Sequence, residues 1–408
     1  MEYVPRMLES TLGELARTFK AVLVTGGRQT GKSTLIRHVF PEYEVVNFDD
    51  PFVEAAARDN SPLFVDLHPA PAFYDEVQRV PEVFRSIKAT VDEAEGSGQF
   101  ILSGSQQFHL MESVSESLAG RVAVVELSGL SLRELQRSTC TDPFLPTQEY
   151  LMRRHAERPR NIWEIIHRGG FPGLLDREVD WEFFFSSYVR TYLERDVREL
   201  TAVQDLTAFR RFLVAVAART GQVVNYTNIA REVEIDETTV KRWISILEAS
   251  GVIYLLEPYR HSVLKRAIKT PKLYFRDTGL ASYLTRWLTP QSLEAGAQAG
   301  AMFETWVVGE ILTSYAYRGI DYRYVMSYYR GKDLTSQTSE IDVVIEADGV
   351  LYPIEIKKGA HPKAIDTEAF QVLDQIPEKR RGPGAVISLV SAPQRLREDV
   401  LTIPAWYI

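Results

Sequence analysis

The chain has 408 residues, a length that suits two to four domains at about 100–200 residues each. Hydrophobic residues make up 45% and charged residues 25%, which is the profile of a globular protein with real cores. The net charge of −8 argues against a uniformly basic coat for nucleic acid, but it leaves room for a local basic face.

The sequence also bears on the compartment. Residues 1–10 hold no apolar core of signal-peptide length, and no apolar run approaches the roughly 18 residues that a membrane helix needs. Cys140 is the single cysteine, so neither an internal disulfide nor a CxxC metal site can form. We therefore expect a cytoplasmic protein with no membrane partner.

Short apolar strands alternate with helical patterns in the first part of the chain, which indicates a parallel sheet covered on both faces. The predicted strands are Ala21–Thr25, Glu44–Phe48, Ala72–Asp75, Gln99–Ser103 and Val122–Leu127, with helices such as Gly31–Val39 and Pro81–Glu93 between them. We predict a five-stranded nucleotide-binding core over residues 1–130 and a helical lid over 131–205.

A phosphate-binding loop is predicted directly after the first strand, where the sequence reads G-x-x-x-x-G-K-[ST] and runs into an amphipathic helix. Backbone N–H groups of such a loop wrap around phosphates, and the helix N-terminus adds a favourable dipole. Lys32 is expected to reach the β- and γ-phosphates of ATP, and Ser33 to bind Mg²⁺. The predicted ATP-binding residues are Gly26, Gly27, Arg28, Gln29, Thr30, Gly31, Lys32, Ser33 and Thr34.

An acidic pair ends the third predicted strand. Asp75 is expected to hold Mg²⁺ through water, and Glu76 to orient the water that attacks ATP. A Glu directly after the Asp is what an ATP hydrolase needs. A GTPase is disfavoured, because the chain has no NKxD string.

Two further positions are candidates for the same site. Ser105 follows the fourth strand and is the preferred sensor of the γ-phosphate, with Ser103 and Gln106 as alternatives. Arg121 precedes the fifth strand, at the rim of the sheet, where it can enter the ATP site of a neighbouring subunit. That role implies a homo-oligomer, as a ring or partial ring; the alternative is a surface Arg in a solvent-exposed ion pair.

Long strings throughout the chain carry a family resemblance. They are GGRQTGKST, FYDEVQRVPE, ILSGSQQFHLMESVSESLAGR, LSLRELQ, GGFP (169–172), YVRTYLERDVREL, KRAIKTPKLYFRDTGL and SEIDVVIE. The sequence resembles the AAA-type ATPases that have a C-terminal domain of the DUF4143 kind. The resemblance covers nearly the whole chain, and it implies an AAA-type core, a helical lid, a winged helix and a terminal domain with a restriction-nuclease-like fold.

Residues 206–275 form the central unit, which is predicted to be a winged helix. A first helix over Tyr226–Val233, with Thr227 as its N-cap, precedes a second helix that Asp236 caps and Gly251 ends. Basic and hydroxyl side chains on the second helix and in an acid-free stretch after it indicate phosphate contacts. The predicted DNA-binding residues are Thr238, Thr239, Lys241, Arg242, Lys265, Arg266, Lys269 and Lys272. The alternative is a protein–protein module or a spacer.

Residues 276–408 are predicted to form a mixed α/β domain with strands near Ile341–Glu346, Leu351–Lys357, Gly384–Val390 and Thr402–Ile408. Pairing of the first two strands would bring Asp342 and Glu355 together as Mg²⁺ ligands, with Lys357 beside them to activate water. Glu304, on a preceding helix, would add a ligand, and Glu310 is the fallback. The set looks like a PD-(D/E)xK nuclease core without the family-name proline; the alternative is a fold that has lost its chemistry.

These patterns give two functional hypotheses. The first is an oligomeric, Mg²⁺-dependent ATPase that acts on DNA by structure rather than by sequence, with a nuclease-like domain that binds DNA and is a candidate to cut it. The resemblance of that domain to structure-specific nucleases implies branched or repair-intermediate DNA as the substrate. The second is a nucleotide-gated interaction protein whose nuclease-like domain is inactive.

Overall fold

The computed structural model of the chain describes residues 2–105, 118–193, 205–260, 270–332 and 338–408. Gln106, Lys265, Arg266 and Lys269, which the sequence analysis selected, lie outside these ranges.

A five-stranded parallel sheet forms the first part of the molecule. Its strands are β1 (Ala21–Thr25), β2 (Glu44–Asn47), β3 (Ala72–Asp75), β4 (Phe100–Ser103) and β5 (Val122–Glu126), in the spatial order β2-β3-β4-β1-β5. β1, β3 and β4 are buried throughout, as expected for a parallel sheet with covered faces. This part of the fold confirms the prediction, with strand ends shifted by at most one residue.

Helices cover both faces of this sheet, and two separate hydrophobic clusters lie beneath them. They are Leu8–Thr18, Lys32–Val39, Pro51–Asp59, Ser61–Leu67 and Val83–Glu93. The first helix and the pair after β2 were not among the predicted elements. Asp50 and Asn60 cap that pair, each with a proline in the first turn, which is a local start signal for a helix.

Short helices follow the sheet over residues 132–193. They are Leu132–Leu135, Gln148–Arg153, Ile162–Arg168 and Trp181–Tyr188, the last running into one wide π-helical turn, Val189–Leu193. Side chains of this region join those of the central unit and the terminal domain in one large apolar cluster. The predicted lid is therefore part of a continuous core with the units that follow it.

The central unit contains three helices and a small antiparallel sheet. The helices are Leu206–Ala217, Tyr226–Val233 and Glu237–Ala249, and the strands are β6 (Gln222–Val223), β7 (Ile253–Leu256) and β8 (Lys272–Phe275), in the order β6-β8-β7. The two later helices lie where the sequence predicts them. The N-cap of the helix at Tyr226 corrects the prediction, because the side chain of Asn225, and not that of Thr227, accepts from the backbone N–H of Asn228.

The terminal domain is a mixed sheet packed against helices. Its strands are β9 (Met326–Lys332), β10 (Thr338–Ala347), β11 (Val350–Ile356), β12 (Arg380–Arg381), β13 (Gly384–Ser388), β14 (Gln394–Arg397) and β15 (Val400–Pro404). The order is β14-β15-β13-β11-β10-β9, with β12 beside β11. The helices are Thr278–Leu284, Pro290–Ala295, Ala299–Ala316 and Tyr322–Val325, with a 3₁₀ segment at Ala364–Gln375. The chain is therefore α/β overall, as predicted.

Candidate functional site

The phosphate loop lies at the carboxyl end of β1, between that strand and the helix Lys32–Val39. Gly26 has φ +137°, and a Cβ there would lie 2.1 Å from the carbonyl oxygen of Leu127. Gly31 has φ +92°, a left-handed conformation that favours glycine. Both glycines of the motif are therefore needed for the shape of the loop, and the helix that follows presents its N-terminus to it.

Lys32 is buried within the loop that it belongs to. Its Nζ donates hydrogen bonds to the carbonyl oxygens of Gly26, at 3.1 Å, and Gly27, at 2.9 Å. Burial lowers the pKa of this ammonium, while the nearby carboxylates of Glu76 and Asp75 oppose that shift. A bound phosphate would give the ammonium a charged partner in place of two carbonyls, so the site fits an anionic nucleotide.

The acidic pair at the end of β3 faces the end of β4. Asp75 is buried, and the hydroxyl of Ser103 donates to its Oδ1. Glu76 has φ +56°, and its Oε2 accepts from Ser105 Oγ at 3.2 Å and from Gln78 Nε2. The structure thus brings together the predicted Mg²⁺ ligand, the predicted water-orienting carboxylate and two of the three candidate sensors.

Gln78 was missed by the sequence analysis, although it stands two residues after Glu76. Its Nε2 also lies 3.4 Å from Ser105 Oγ, so the amide bridges the carboxylate and the hydroxyl. A polar residue two positions after an Asp-Glu pair was the available signal. The Ser105 hydroxyl donates to Glu76 in this structure. Ser105 can therefore orient the Glu76 carboxylate as well as sense phosphate.

Residues distant in sequence hold the outside of the phosphate loop. Arg6 Nη1 donates to the carbonyl oxygen of Thr30 at 2.9 Å, and its Nη2 donates to Tyr317 Oη at 2.8 Å. Gln29 Nε2 donates to Tyr192 Oη at 3.0 Å, and the Arg28 guanidinium lies over the Tyr192 ring. No local pattern in the sequence indicates these long-range contacts.

The central unit touches the loop directly. Gly251, which follows the helix Glu237–Ala249, has φ +67°, and a Cβ there would lie 3.2 Å from the backbone nitrogen of Gly27. Nearby, Arg276 at the end of β8 forms an ion pair with Glu126 at the end of β5, with 3.0 Å between Nη1 and Oε1. The loop that would hold phosphate is thus in contact with the unit that was predicted to hold DNA.

Arg121 lies at the amino end of β5, the edge of the sheet opposite to the phosphate loop. Its guanidinium pairs with the carboxylate of Asp92, and both side chains are partly exposed. The hydrogen bond to Asp92 raises the pKa of Arg121 and lowers that of Asp92. Within one chain it therefore takes no part in the ATP site, and its predicted role in a neighbouring subunit stays a prediction.

The predicted DNA-binding residues of the second helix lie mostly on its surface. Thr238, Lys241 and Arg242 are exposed. Lys241 forms an ion pair with Glu237, with 2.8 Å between Nζ and Oε1. Thr239 is half-buried, and its hydroxyl donates to Asp236 at 2.6 Å, so it also helps to start the helix.

Lys272 corrects the predicted DNA interface. Only 3% of its side chain is exposed, and its Nζ pairs with Glu304, Glu340 and Asp342. An ammonium enclosed by three carboxylates cannot reach a DNA backbone. Arg276, which directly follows β8, is likewise paired with an acid, Glu126. The absence of acids in that stretch of sequence was misleading, because the compensating acids come from other elements.

The predicted metal ligands of the terminal domain do converge. Asp342 and Glu355 stand beside the paired residues Val343 and Ile354 of β10 and β11, and both are buried. Lys357 Nζ lies 2.6 Å from Glu355 Oε1. Burial first, and then the charge of Asp342, raise the pKa of Glu355 to about 8, with Lys357 opposing them.

Glu304 belongs to this cluster, whereas Glu310 does not. Glu304 Oε1 accepts from Tyr274 Oη at 2.6 Å and from Lys272. Burial, followed by the charge of Asp342, raises the pKa of Glu304 to about 7. Both carboxylate oxygens of Glu310 instead accept from the backbone N–H of Leu132, at 3.1 Å, so the fallback ligand is corrected.

Comparisons with known proteins recognise domains in three parts of the chain. An AAA domain is recognised over residues 18–136, a domain of unknown function (DUF8612) over 159–291, and a second domain of unknown function (DUF4143) over 299–408. An uncharacterized protein of Mycobacterium tuberculosis is 30% identical over 344 residues, which cover 84% of this chain and 71% of the relative. An uncharacterized protein of Mycobacterium bovis matches to the same extent.

The chain belongs to their family. It is an AAA-type P-loop ATPase by fold, with a C-terminal DUF4143 domain. The family resemblance drawn from the sequence is therefore confirmed for these two domains. The AAA match contains the phosphate loop, Asp75 and Glu76, and the DUF4143 match contains Glu304, Asp342 and Glu355.

Solved structures are similar to this AAA-type ATPase only in part. The Walker-type ATPase PABY2304 of Pyrococcus abyssi is 16% identical, with a TM-score of 0.45, over 69% of this chain and 96% of the other. DnaA of Aquifex aeolicus with bound AMPPCP is 17% identical, with a TM-score of 0.22, over 59% of this chain and 85% of the other. Both TM-scores lie below 0.5, so neither structure informs the function of this one. Among the described residues, no helix has both the length and the apolar character needed to cross a membrane.

Proposed function

We propose that the chain is a Mg²⁺-dependent ATPase that couples ATP hydrolysis to the position of its central unit on DNA. The observation that carries this proposal is the contact between Gly251 and Gly27, which joins the end of the second helix of the central unit to the phosphate loop. Binding of phosphate inside the loop changes the hydrogen bonds of its backbone. That change is passed on to the helix that bears Thr238, Lys241 and Arg242.

The residues around the loop support hydrolysis as well as binding. Lys32 would hold the β- and γ-phosphates, while Ser33 and Asp75 would hold Mg²⁺, which supplies charge stabilisation during phosphoryl transfer. Glu76 would orient the attacking water, and Ser105 together with Gln78 fixes the direction of its carboxylate. A hydrolysis-competent carboxylate beside the phosphate loop distinguishes this arrangement from a loop that only binds nucleotide.

A second contact supports transmission from the ATP site to the central unit. Arg276 binds Glu126 at the carboxyl end of β5, the same edge of the sheet as the phosphate loop, and it also donates to Tyr322 Oη at 3.1 Å. Its side chain is only 14% exposed. The nucleotide-binding edge is therefore contacted at two points, by Gly251 of the central unit and by Arg276, the residue that directly follows β8.

DNA-stimulated ATP hydrolysis tests this proposal. The double substitution Lys241→Ala with Arg242→Ala should leave the basal ATPase rate unchanged and reduce stimulation by duplex, forked or single-stranded DNA about tenfold, because phosphate contacts are lost. Arg318→Ala, which removes an exposed arginine elsewhere, is the matched control and should keep full stimulation. An ATPase rate that no DNA changes would contradict the role of DNA.

A second candidate is a nucleotide-gated interaction protein whose terminal domain does not cut DNA. The position of Lys272 among the carboxylates of that domain favours this candidate over a nuclease. Labelled branched, forked and single-stranded DNA incubated with Mg²⁺ or Mn²⁺ separates the two. Cleavage products from the unaltered chain that Asp342→Ala abolishes would support a nuclease, and identical patterns from both would remove it.

A further inference from the structure

Lys272 is placed where the sequence analysis puts a metal ion. It begins β8 of the central unit, but its side chain enters the carboxylate cluster of the terminal domain. Its Nζ lies 3.1 Å from Glu304 Oε1, 3.2 Å from Asp342 Oδ1 and 2.5 Å from Glu340 Oε1. An ammonium has three N–H donors, and each here has a carboxylate oxygen within reach.

Other donors also contact the carboxylates of the cluster. Asp342 Oδ2 accepts from the backbone N–H of Ile356 at 2.9 Å, and Tyr274 Oη donates to Glu304 Oε1 at 2.6 Å. Glu355 Oε1 is bound by Lys357, and its Oε2 is buried with no hydrogen-bond partner among the described residues. In the described part of the chain, no set of three or more His, Cys, Asp or Glu side chains is arranged to hold a metal ion.

Charge explains why the two cations exclude each other. A hard divalent cation needs several oxygens that point at one centre, and here three of the available carboxylates already point at Nζ. A metal ion entering the same space would stand within a few ångströms of a buried ammonium, where like charges repel strongly. The donor set therefore does not fit Mg²⁺ while Lys272 is in place.

We propose that the Lys272 ammonium is a built-in replacement for the divalent cation of this nuclease-like cluster. The terminal domain then binds no catalytic metal ion, and the cluster serves as an ionic dock that holds β8 of the central unit. The proposal depends on the carboxylate cluster and on Lys272 of β8, and its tests are independent of ATP hydrolysis and of DNA binding.

Mn²⁺ titration of the full chain without nucleotide, by calorimetry or electron paramagnetic resonance, tests the replacement. Lys272→Met removes the charge while keeping much of the bulk, and it leaves Glu304, Asp342 and Glu355 free to converge on a cation. We expect the variant to bind one additional Mn²⁺ at least tenfold more tightly than the unaltered chain binds Mn²⁺. Adding Asp342→Asn to the same variant should abolish that site.

Lys379→Met is the matched control, because Lys379 pairs with Glu346, a single and partly exposed carboxylate. It should gain no Mn²⁺ site. Folding is checked by a thermal melt of each variant. If Lys272→Met folds and gains no site, the replacement is wrong.

The unaltered chain gives a second test that does not depend on the folding of Lys272→Met. Mn²⁺ binding by the unaltered chain that Asp342→Asn removes would overturn the proposal, since the cluster would then accept a metal ion with Lys272 in place. Mn²⁺ binding that is the same in the unaltered chain and in Asp342→Asn supports the proposal. Lys272→Arg keeps the positive charge and should also stay without an additional site.

Discussion

The backbone of Glu76 has a left-handed conformation, and its side chain is held by neighbouring residues. Its φ of +56° is uncommon for a residue other than glycine, and Ser105 and Gln78 both donate to its Oε2. Strain of this kind at the end of a central strand is typical of functional residues.

Glu76→Gln tests the assigned role. The amide keeps the size of the side chain but cannot act on the attacking water, so ATP hydrolysis should fall by about 10²–10⁴-fold. Affinity for ATP, measured by equilibrium binding, should change little, because Lys32 and the loop remain. Glu54→Gln, which alters a surface pair with Arg58, should leave both quantities unchanged. Loss of binding in Glu76→Gln would point to a structural role instead.

Gly251→Ala tests whether the central unit acts on the phosphate loop. The new Cβ would stand 3.2 Å from the nitrogen of Gly27, which is closer than ordinary packing allows. We expect ATP affinity to fall about tenfold, or 1.4 kcal/mol.

Gly349→Ala is a closely matched control for this substitution. Its φ of +73° imposes the same backbone strain, but no atom of the described part of the chain lies within 4 Å of the added Cβ. Both variants should lose about 1–2 kcal/mol of unfolding free energy. Equal ATP affinities in the two would show that the contact with the loop transmits nothing.

At the scale of the elements, the helix Tyr226–Val233 has two candidate N-cap residues, Asn225 and Thr227, and their hydrogen bonds differ. Asn225 Oδ1 accepts from Asn228 N at 2.9 Å, whereas the hydroxyl of Thr227 donates to Glu237 at 2.9 Å. Asn225→Ala should lower the unfolding free energy by about 1 kcal/mol, and Thr227→Ala by less than about half of that. Denaturant unfolding of both variants checks the order; a larger loss in Thr227→Ala would contradict the cap.

The long helix Ala299–Ala316 supplies a pH-dependent contact to the short helix at Leu132. Burial raises the pKa of Glu310 to about 7 from an ordinary value of 4.5; the charge of Glu134 adds to this, while the Leu132 N–H, Arg133 and Arg154 oppose it. The folded chain thus binds this proton more tightly than the unfolded chain. The unfolding free energy should therefore fall as pH rises from about 4.5 to 7, by roughly 3 kcal/mol from this group.

Glu310→Gln removes that titration while keeping an oxygen for Leu132. Denaturant unfolding at several pH values from 5 to 7.5 should show a shallower decline for the variant than for the unaltered chain. Glu164→Gln, at a partly exposed pair with Arg177, is the control and should reproduce the original profile. Parallel profiles for Glu310→Gln and the unaltered chain would assign the pH dependence to other groups.

At the scale of the whole molecule, substitution of Arg121 tests whether the chain works as a monomer or as an oligomer. Arg121→Ala and Asp92→Ala each break the same ion pair. If Arg121 serves a neighbouring ATP site, only the arginine substitution should slow hydrolysis, by about 10²-fold or more, in line with arginine fingers elsewhere. Mass measurement with and without ATP should reveal an oligomer; a monomer in both, with equal rates for the two variants, would contradict this role.

Local signals sufficed for much of the fold. The strand β1, the loop after it and the helix Glu237–Ala249 could be predicted because apolar period, glycines and an N-cap act over a few residues. The prediction that Lys272 binds DNA was wrong because the number of charges along the chain does not show which acidic residues of other elements lie close to it in space. Tyr192 was missed for a related reason, since its role depends on a contact with Gln29, far away in the sequence. Gln78 was missed although its contact with Glu76 is local.

The guanidinium of Arg6 touches the phosphate loop and also Tyr317, at the end of the helix Ala299–Ala316, and Thr11 adds a hydrogen bond to the carbonyl oxygen of Tyr317 at 2.7 Å. Arg6 and Thr11, near the start of the chain, are therefore held in place by Tyr317, about three hundred positions later. A cut between residues 136 and 159, where one recognised domain ends and the next begins, would separate these partners. The three domains recognised in this chain are therefore not independent of one another. Each of the two fragments that such a cut produces should be less stable alone than the uncut chain.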